Sequence, residues 1–169
     1  YDQLCKKNTF FQTFFTKKNI LGVYLWGGVG VGKTFLMDLF YNALPFKEKK
    51  RFHFHEFMQN IQLSLREHQG KNNPLEIISK KISLDTKVLC FDEFFVHDIA
   101  DAMILERLLT NLFDQGIVLV ATSNISPSAL YEKGLHQRRF QPAIKLIERK
   151  CDVFELKSNS DYRFIKKDQ

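Results

Sequence analysis

Short apolar runs alternate with amphipathic stretches along the chain, and the spacing inside each separates strand from helix. Leu21 to Trp26, Val88 to Phe91, Ile117 to Ala121 and Cys151 to Leu156 are apolar runs of strand length and read as buried strands. Arg51 to His55 (RFHFH) alternates with period two and predicts a fifth. Between them the period changes to that of a helix. Lys33 to Leu44 follows the first strand and stops before Pro45, and Glu56 to Gln69 carries Phe57, Ile61 and Leu65 on one face. Asp98 can cap a helix whose apolar positions Ile104, Leu105, Leu108, Leu109 and Leu112 recur at helical spacing until Gly116 ends it. Strands alternating with helices predict an α/β fold of three layers, a mainly parallel central sheet covered on both faces. No internal repeat, low-complexity segment or Pro/Gly-rich linker divides the chain, so residues 1–169 are expected to form a single domain.

The turn after the first strand carries the sharpest chemical signal. Gly-Gly-Val-Gly-Val-Gly-Lys-Thr, Gly27 to Thr34, matches G-x4-G-K-[ST], with an apolar strand before it and a helix after it as the motif requires. Glycines let backbone N–H groups curl around phosphates, and the following helix aims its positive end at them. The cradle is expected to run from Gly27, Gly28, Val29, Gly30, Val31 and Gly32 through Lys33 and Thr34 to Phe35. Lys33 would reach the β- and γ-phosphates of ATP, and the Thr34 hydroxyl would ligate Mg²⁺.

Two further strand ends fit the same chemistry. Val88-Leu89-Cys90-Phe91 ends in Asp92-Glu93, an apolar strand closed by two carboxylates. After a phosphate loop, Asp92 is the expected metal carboxylate and Glu93 the group that polarises the attacking water, which marks the hydrolysing branch of P-loop proteins. The strand Ile117 to Ala121 leads into Thr122-Ser123-Asn124, and Asn124 is the candidate sensor of the γ-phosphate, or else a cap for the turn near Ser126.

Composition adds limits. Apolar residues at 44% and charged residues at 26% match globular chains and exclude a disordered tail, a collagen-like rod or a coiled coil. No stretch approaches the ~18 apolar residues of a membrane span, which leaves at most peripheral membrane association. The net charge of +6 (25 Lys and Arg against 19 Asp and Glu) suits polyanions, but it is scattered in short runs that read as solvated faces. Cys5, Cys90 and Cys151 lie far apart without CxxC spacing, so neither a disulfide framework nor a zinc site is expected, and a reducing compartment is. Cys90 is expected to pack as a small hydrophobe. His53 and His55 alternate but lack a third ligand, which argues against a metal there. Phe10, Phe11, Phe14 and Phe15 have the spacing of a helix face, read as packing rather than docking. The chain starts at Tyr1 without a leader, as expected of a piece of something longer.

Taken with these motifs, GVYLWGGVGVGKTFLMDLFY, RFHFHEFM, VLCFDEFFVHDIADAMIL, VLVATSNISPSALYEKGL and the late DYR resemble the ZapE-type cell-division ATPases, a branch of the AAA+ P-loop proteins with mitochondrial relatives. The likeness runs from about Gly22 to Arg163. It implies an ATPase that uses Mg²⁺, assembles as a homo-oligomer on nucleotide and acts in the cytoplasm on the tubulin-like division protein FtsZ at the constriction ring. It implies a mitochondrial matrix site for a eukaryotic relative. Members extend further on both sides, so the helical lid region is expected to lie outside this chain. Where the family reads GLQRARFLPAI, this chain has Gly134-Leu135-His136-Gln137-Arg138-Arg139-Phe140-Gln141-Pro142-Ala143-Ile144. Arg139 keeps a family arginine and Gln137 replaces the other, so Arg139 and Arg138 are the candidate finger inserted into a neighbour's site. Val31 stands where an arginine is common, and His97 replaces a small polar residue. The competing reading, from a different class, is a nucleic-acid-linked ATPase of the helicase-loader type, which shares this core. A nucleotide-dependent assembly module that barely hydrolyses ATP is a third.

Overall fold

The computed structural model describes residues 21–96, 99–130 and 137–157. Five strands, β1 (Gly22–Trp26), β2 (Lys49–His53), β3 (Val88–Asp92), β4 (Val118–Ser123) and β5 (Cys151–Glu155), form one sheet in the order β2-β3-β4-β1-β5. Every pairing is parallel. Helices make the crossovers: α1 (Lys33–Ala43), α2 (Phe54–Glu67), α3 (Pro74–Ser83), α4 (Ile99–Asp114) and α5 (Gln137–Lys150), with a 3₁₀ turn at Pro127–Ala129.

Period two along the central strands sorts the core onto two faces. Leu89 and Phe91 of β3, with Tyr24, Leu119 and Ala121, pack against α2, α3, α4 and α5. Val88, Cys90 and Val120 face the other way, against Met37 and its half-buried neighbours Phe40 and Tyr41 on α1. Asp92 and Thr122, two residues beyond Cys90 and Val120, share that α1 face. Five of the 17 phenylalanines, Phe54, Phe57, Phe91, Phe94 and Phe140, are buried on the first face, where the rings of Phe54 and Phe94 have centroids 4.2 Å apart and Phe57 meets Phe91 at 4.7 Å.

The expected strands and the α1 and α4 helices stand where the pattern put them, within a residue or two. The strand read at Arg51–His55 is displaced: β2 ends at His53 and α2 starts at the next residue. Phe54 belongs to a helical stripe, Phe54, Phe57, Met58 and Ile61, all buried, and β2 is instead fixed by pairing Lys49 to His53 against Val88 to Asp92. The Cys151 run forms a strand that is buried only at Cys151, because β5 pairs with β1 on one side and forms the sheet edge among the described residues. Helices α3 and α5 went unread; Pro74 opens α3, while Pro142 lies inside α5. Cys5, the Phe10 to Phe15 cluster, His97, the Asp98 cap and the DYR motif lie outside the described residues.

Candidate nucleotide site

The C-terminal ends of β1, β3 and β4 meet at one end of the sheet, where α/β folds place their ligand sites. A cleft of about 570 Å³ opens there, lined by Val29, Gly30, Gly32, Lys33, Thr34, Phe35, Arg51, His53, Asp92, Glu93, Thr122, Ser123 and Asn124. The loop, the acidic pair and the sensor candidate, separated by up to roughly a hundred positions in sequence, are therefore brought together.

The loop has the backbone its motif requires. Gly32 precedes α1 with φ of 89°, a left-handed conformation that a side chain would strain. A Cβ on Gly27 would lie 2.3 Å from the Leu156 carbonyl oxygen, so close packing on the segment after β5 demands glycine there. Gly27, which is buried, Gly28 and Val31 are not among the residues that line the cleft. The Lys33 ammonium donates to the carbonyls of Gly27 at 2.7 Å and Gly28 at 2.6 Å, and partial burial holds it below the ordinary lysine pKa. Val29 and Phe35 are exposed at the rim.

On β3, Asp92 is buried against Arg51 of β2. The guanidinium donates through Nε to Asp92 Oδ2 and through one terminal nitrogen to Asp92 Oδ1 at 3.2 Å, while the other terminal nitrogen binds Asp38 of α1. These bonds, Asp92 first, raise the Arg51 pKa above even its usual value. Asp38 follows Thr34 by one helical turn, so Arg51 ties the helix bearing the candidate metal hydroxyl to the candidate metal carboxylate. The Thr122 hydroxyl lies 3.5 Å from Asp92 Oδ1. Glu93 is exposed in the cleft and has φ of 54°, a conformation uncommon outside glycine. Asn124 is exposed at the cleft, and the Ser126 side chain does not cap the 3₁₀ turn that follows it.

Thr34 with Asp92 offers one hydroxyl and one carboxylate, a set that suits a hard cation completing its shell with phosphate and water. Among the described residues no group of three His, Cys, Asp or Glu side chains could hold a metal. The histidine pair diverges: His53 lines the cleft, while the exposed His55 on α2 meets Gln59 at 2.9 Å. Arg138 and Arg139 fall in the first turn of α5, and their side chains lie outside the described residues. Cys90 and Cys151 are free and buried, and burial pushes both thiols up to about 12, as inert packing residues.

The sequence reading missed Arg51, His53, Thr122 and Ser123. Residues 51 and 53 share the face of Cys90 and Asp92 through the pairing of β2 with β3, a tertiary fact that the alternation of RFHFH does not contain.

The profile of the AFG1-like ATPases matches residues 2–169. The chain belongs to the AFG1-like ATPase family. It is 54% identical over 144 residues to the cell division protein ZapE of Escherichia coli (strain K12), over 85% of this chain and 38% of that protein. It spans between 30% and 38% of the length of the curated relatives it matches. Among solved structures, domain III of the Thermotoga maritima replication initiation protein DnaA aligns with a TM-score of 0.61 at 20% identity, covering 86% of this chain and 59% of that one. The DnaC helicase loader aligns at 0.60 and 17% identity, covering 86% and 85%. These likenesses are of fold, and with the all-parallel sheet they give an α/β three-layer P-loop fold of the AAA+ type.

Proposed function

We propose that this chain is the ATP-hydrolysing core of a cell-division ATPase. The observation that carries the reading is the convergence of the phosphate loop, Asp92, Glu93 and Asn124 on one cleft. The loop from Gly27 to Thr34 cradles the phosphates through the N–H groups that follow Gly27, with Phe35 and Val29 at the rim. Lys33 leaves the Gly27 and Gly28 carbonyls for the β- and γ-phosphates. Thr34 and Asp92 would hold Mg²⁺, which when bound would supply positive charge against the phosphates. Glu93 orients the attacking water and takes its proton, and Asn124 contacts the γ-phosphate. Arg139 or Arg138 of a neighbouring subunit supplies the remaining positive charge. Binding and hydrolysis then set how copies assemble in the cytoplasm and how they grip a FtsZ-like partner at the division site, in line with the 54% identity to ZapE.

The test is Mg-ATP hydrolysis per subunit over a wide range of protein concentration. Activity rising with concentration supports sites completed between copies, while a flat rate removes the finger. Lys33→Ala is expected to abolish nucleotide binding. Glu93→Gln keeps binding and loses about 100-fold or more in turnover; full turnover in that variant sinks the assignment. Tight DNA binding with a steep salt slope would replace the division reading with the helicase-loader one.

A further inference from the structure

Ser123, the last residue of β4, is 1% exposed, and no step above uses its hydroxyl. Its polar atoms nevertheless hold three separate loops of the cleft. Its carbonyl accepts from the N–H of Gly27, which opens the phosphate loop, at 3.2 Å. Its hydroxyl donates to the Phe94 carbonyl, just past Glu93, at 2.7 Å. The same hydroxyl accepts from the N–H of Ile125, just past Asn124, at 3.2 Å. The Tyr24 hydroxyl donates to the Ile125 carbonyl at 3.1 Å, and the Tyr24 ring meets Phe94 edge-on at 5.9 Å, so the network closes beneath Asn124.

Glu93 shows why this matters. A non-glycine residue keeps a left-handed φ only where its surroundings over-determine it. Asp92 before it is bound by Arg51. Phe94 after it is gripped on both sides, its N–H by the Thr122 carbonyl at 2.7 Å and its carbonyl by Ser123. Without the Ser123 hydroxyl the second grip is gone, and the backbone of Glu93 can relax.

We infer that Ser123 is the positioning residue that locks Glu93 and Asn124 in fixed relation to the phosphate loop. The inference rests on the hydrolysis reading above. It acts through those two side chains, so its removal changes turnover and not binding. Ser123→Ala is expected to leave the affinity for a fluorescent ADP within about twofold, because the cradle and Lys33 are untouched. It lowers kcat by roughly 10- to 100-fold, the scale of an ångström of misplacement. Combined with Glu93→Gln it causes a smaller loss than it does alone, since the part that runs through Glu93 is already gone and only the Asn124 part remains. Wild-type kcat in Ser123→Ala with a lowered melting temperature overturns the inference, as does a loss carried wholly by weaker nucleotide binding. Where Ser123→Ala fails to fold, Tyr24→Phe carries the test: reduced kcat at unchanged ADP affinity supports the network, and unchanged kcat overturns it. Turnover in the unaltered chain with none of these effects discards this inference alone; no turnover in the unaltered chain discards the hydrolysis reading and this inference together.

Discussion

The strand end bearing Asp92 and Glu93 is held from both flanks, by opposite kinds of force. On the β4 side the grip is neutral and buried: the Thr122 carbonyl and Ser123 hydroxyl bind the two ends of Phe94 at 2.7 Å each. On the β2 side it is charged and partly open: Arg51, with its side chain 23% exposed, binds Asp92 at 11% and Asp38 at 50%. Short neutral bonds are directional and nearly blind to salt, so they fix where Glu93 points. The ion-pair cluster is screened and can be competed for by a charged ligand, so it fixes how much negative charge the cleft offers. One flank sets geometry, the other electrostatics.

The largest effect should come from breaking the charged flank at its centre. Arg51→Met leaves Asp92 and Asp38 facing each other without a cation. Removing one partner of a fully buried pair costs about 3–5 kcal/mol, and the partial exposure here brings the expectation to about 2–3 kcal/mol. Urea unfolding at neutral pH measures it. In 1 M salt the cost should shrink, since the screening length falls to about 3 Å. A cost unchanged by salt would mean that packing of the arginine stem, not its charge, is what Arg51 supplies. The neutral flank gives the next effect. Ser123→Ala strands the buried Phe94 carbonyl and the half-buried Ile125 N–H, at about 1–2 kcal/mol, and this cost should be the same in low and high salt. Salt dependence there would erase the distinction between the flanks.

The difference between the flanks also explains what the sequence could reveal. The neutral flank lies in a region where the strand signal is strong: Ile117 to Ala121 and Val88 to Phe91 are apolar because both faces of those strands are covered, so their ends, Asn124 and Asp92-Glu93, could be located directly. The phosphate loop was legible because its glycines answer local backbone demands, at Gly32 by conformation and at Gly27 by contact with Leu156. The charged flank was not legible. β2 is half-buried from Lys49 to Phe52 and exposed at His53, its alternation runs without a break into the first turn of α2, and Phe54 fits either period. Placing its end needs the pairing with β3, which is a tertiary fact. Ser123 was hidden for another reason: a serine beside a sensor candidate has no signature, and its role rests on contacts to two distant segments, at Gly27 and Phe94, besides the local one to Ile125.

The smallest effect sharpens the account of the charged flank by asking which carboxylate anchors Arg51. Asp92 meets both Nε and a terminal nitrogen and is mostly buried, whereas Asp38 takes a single bond on the half-exposed surface of α1. Exposed single pairs contribute about 0–1 kcal/mol, so Asp38→Asn should cost under about 1 kcal/mol, because Arg51 keeps its bidentate partner. Its neutral amide still accepts a hydrogen bond, so α1 should not shift against β3. In the background of Arg51→Met the same change should be neutral or slightly stabilising, because it removes one of two unpaired carboxylates. A cost for Asp38→Asn equal to that of Arg51→Met would reverse the picture: Arg51 would then be anchored on the helix, and Asp92 would be held chiefly by Thr122 and its strand.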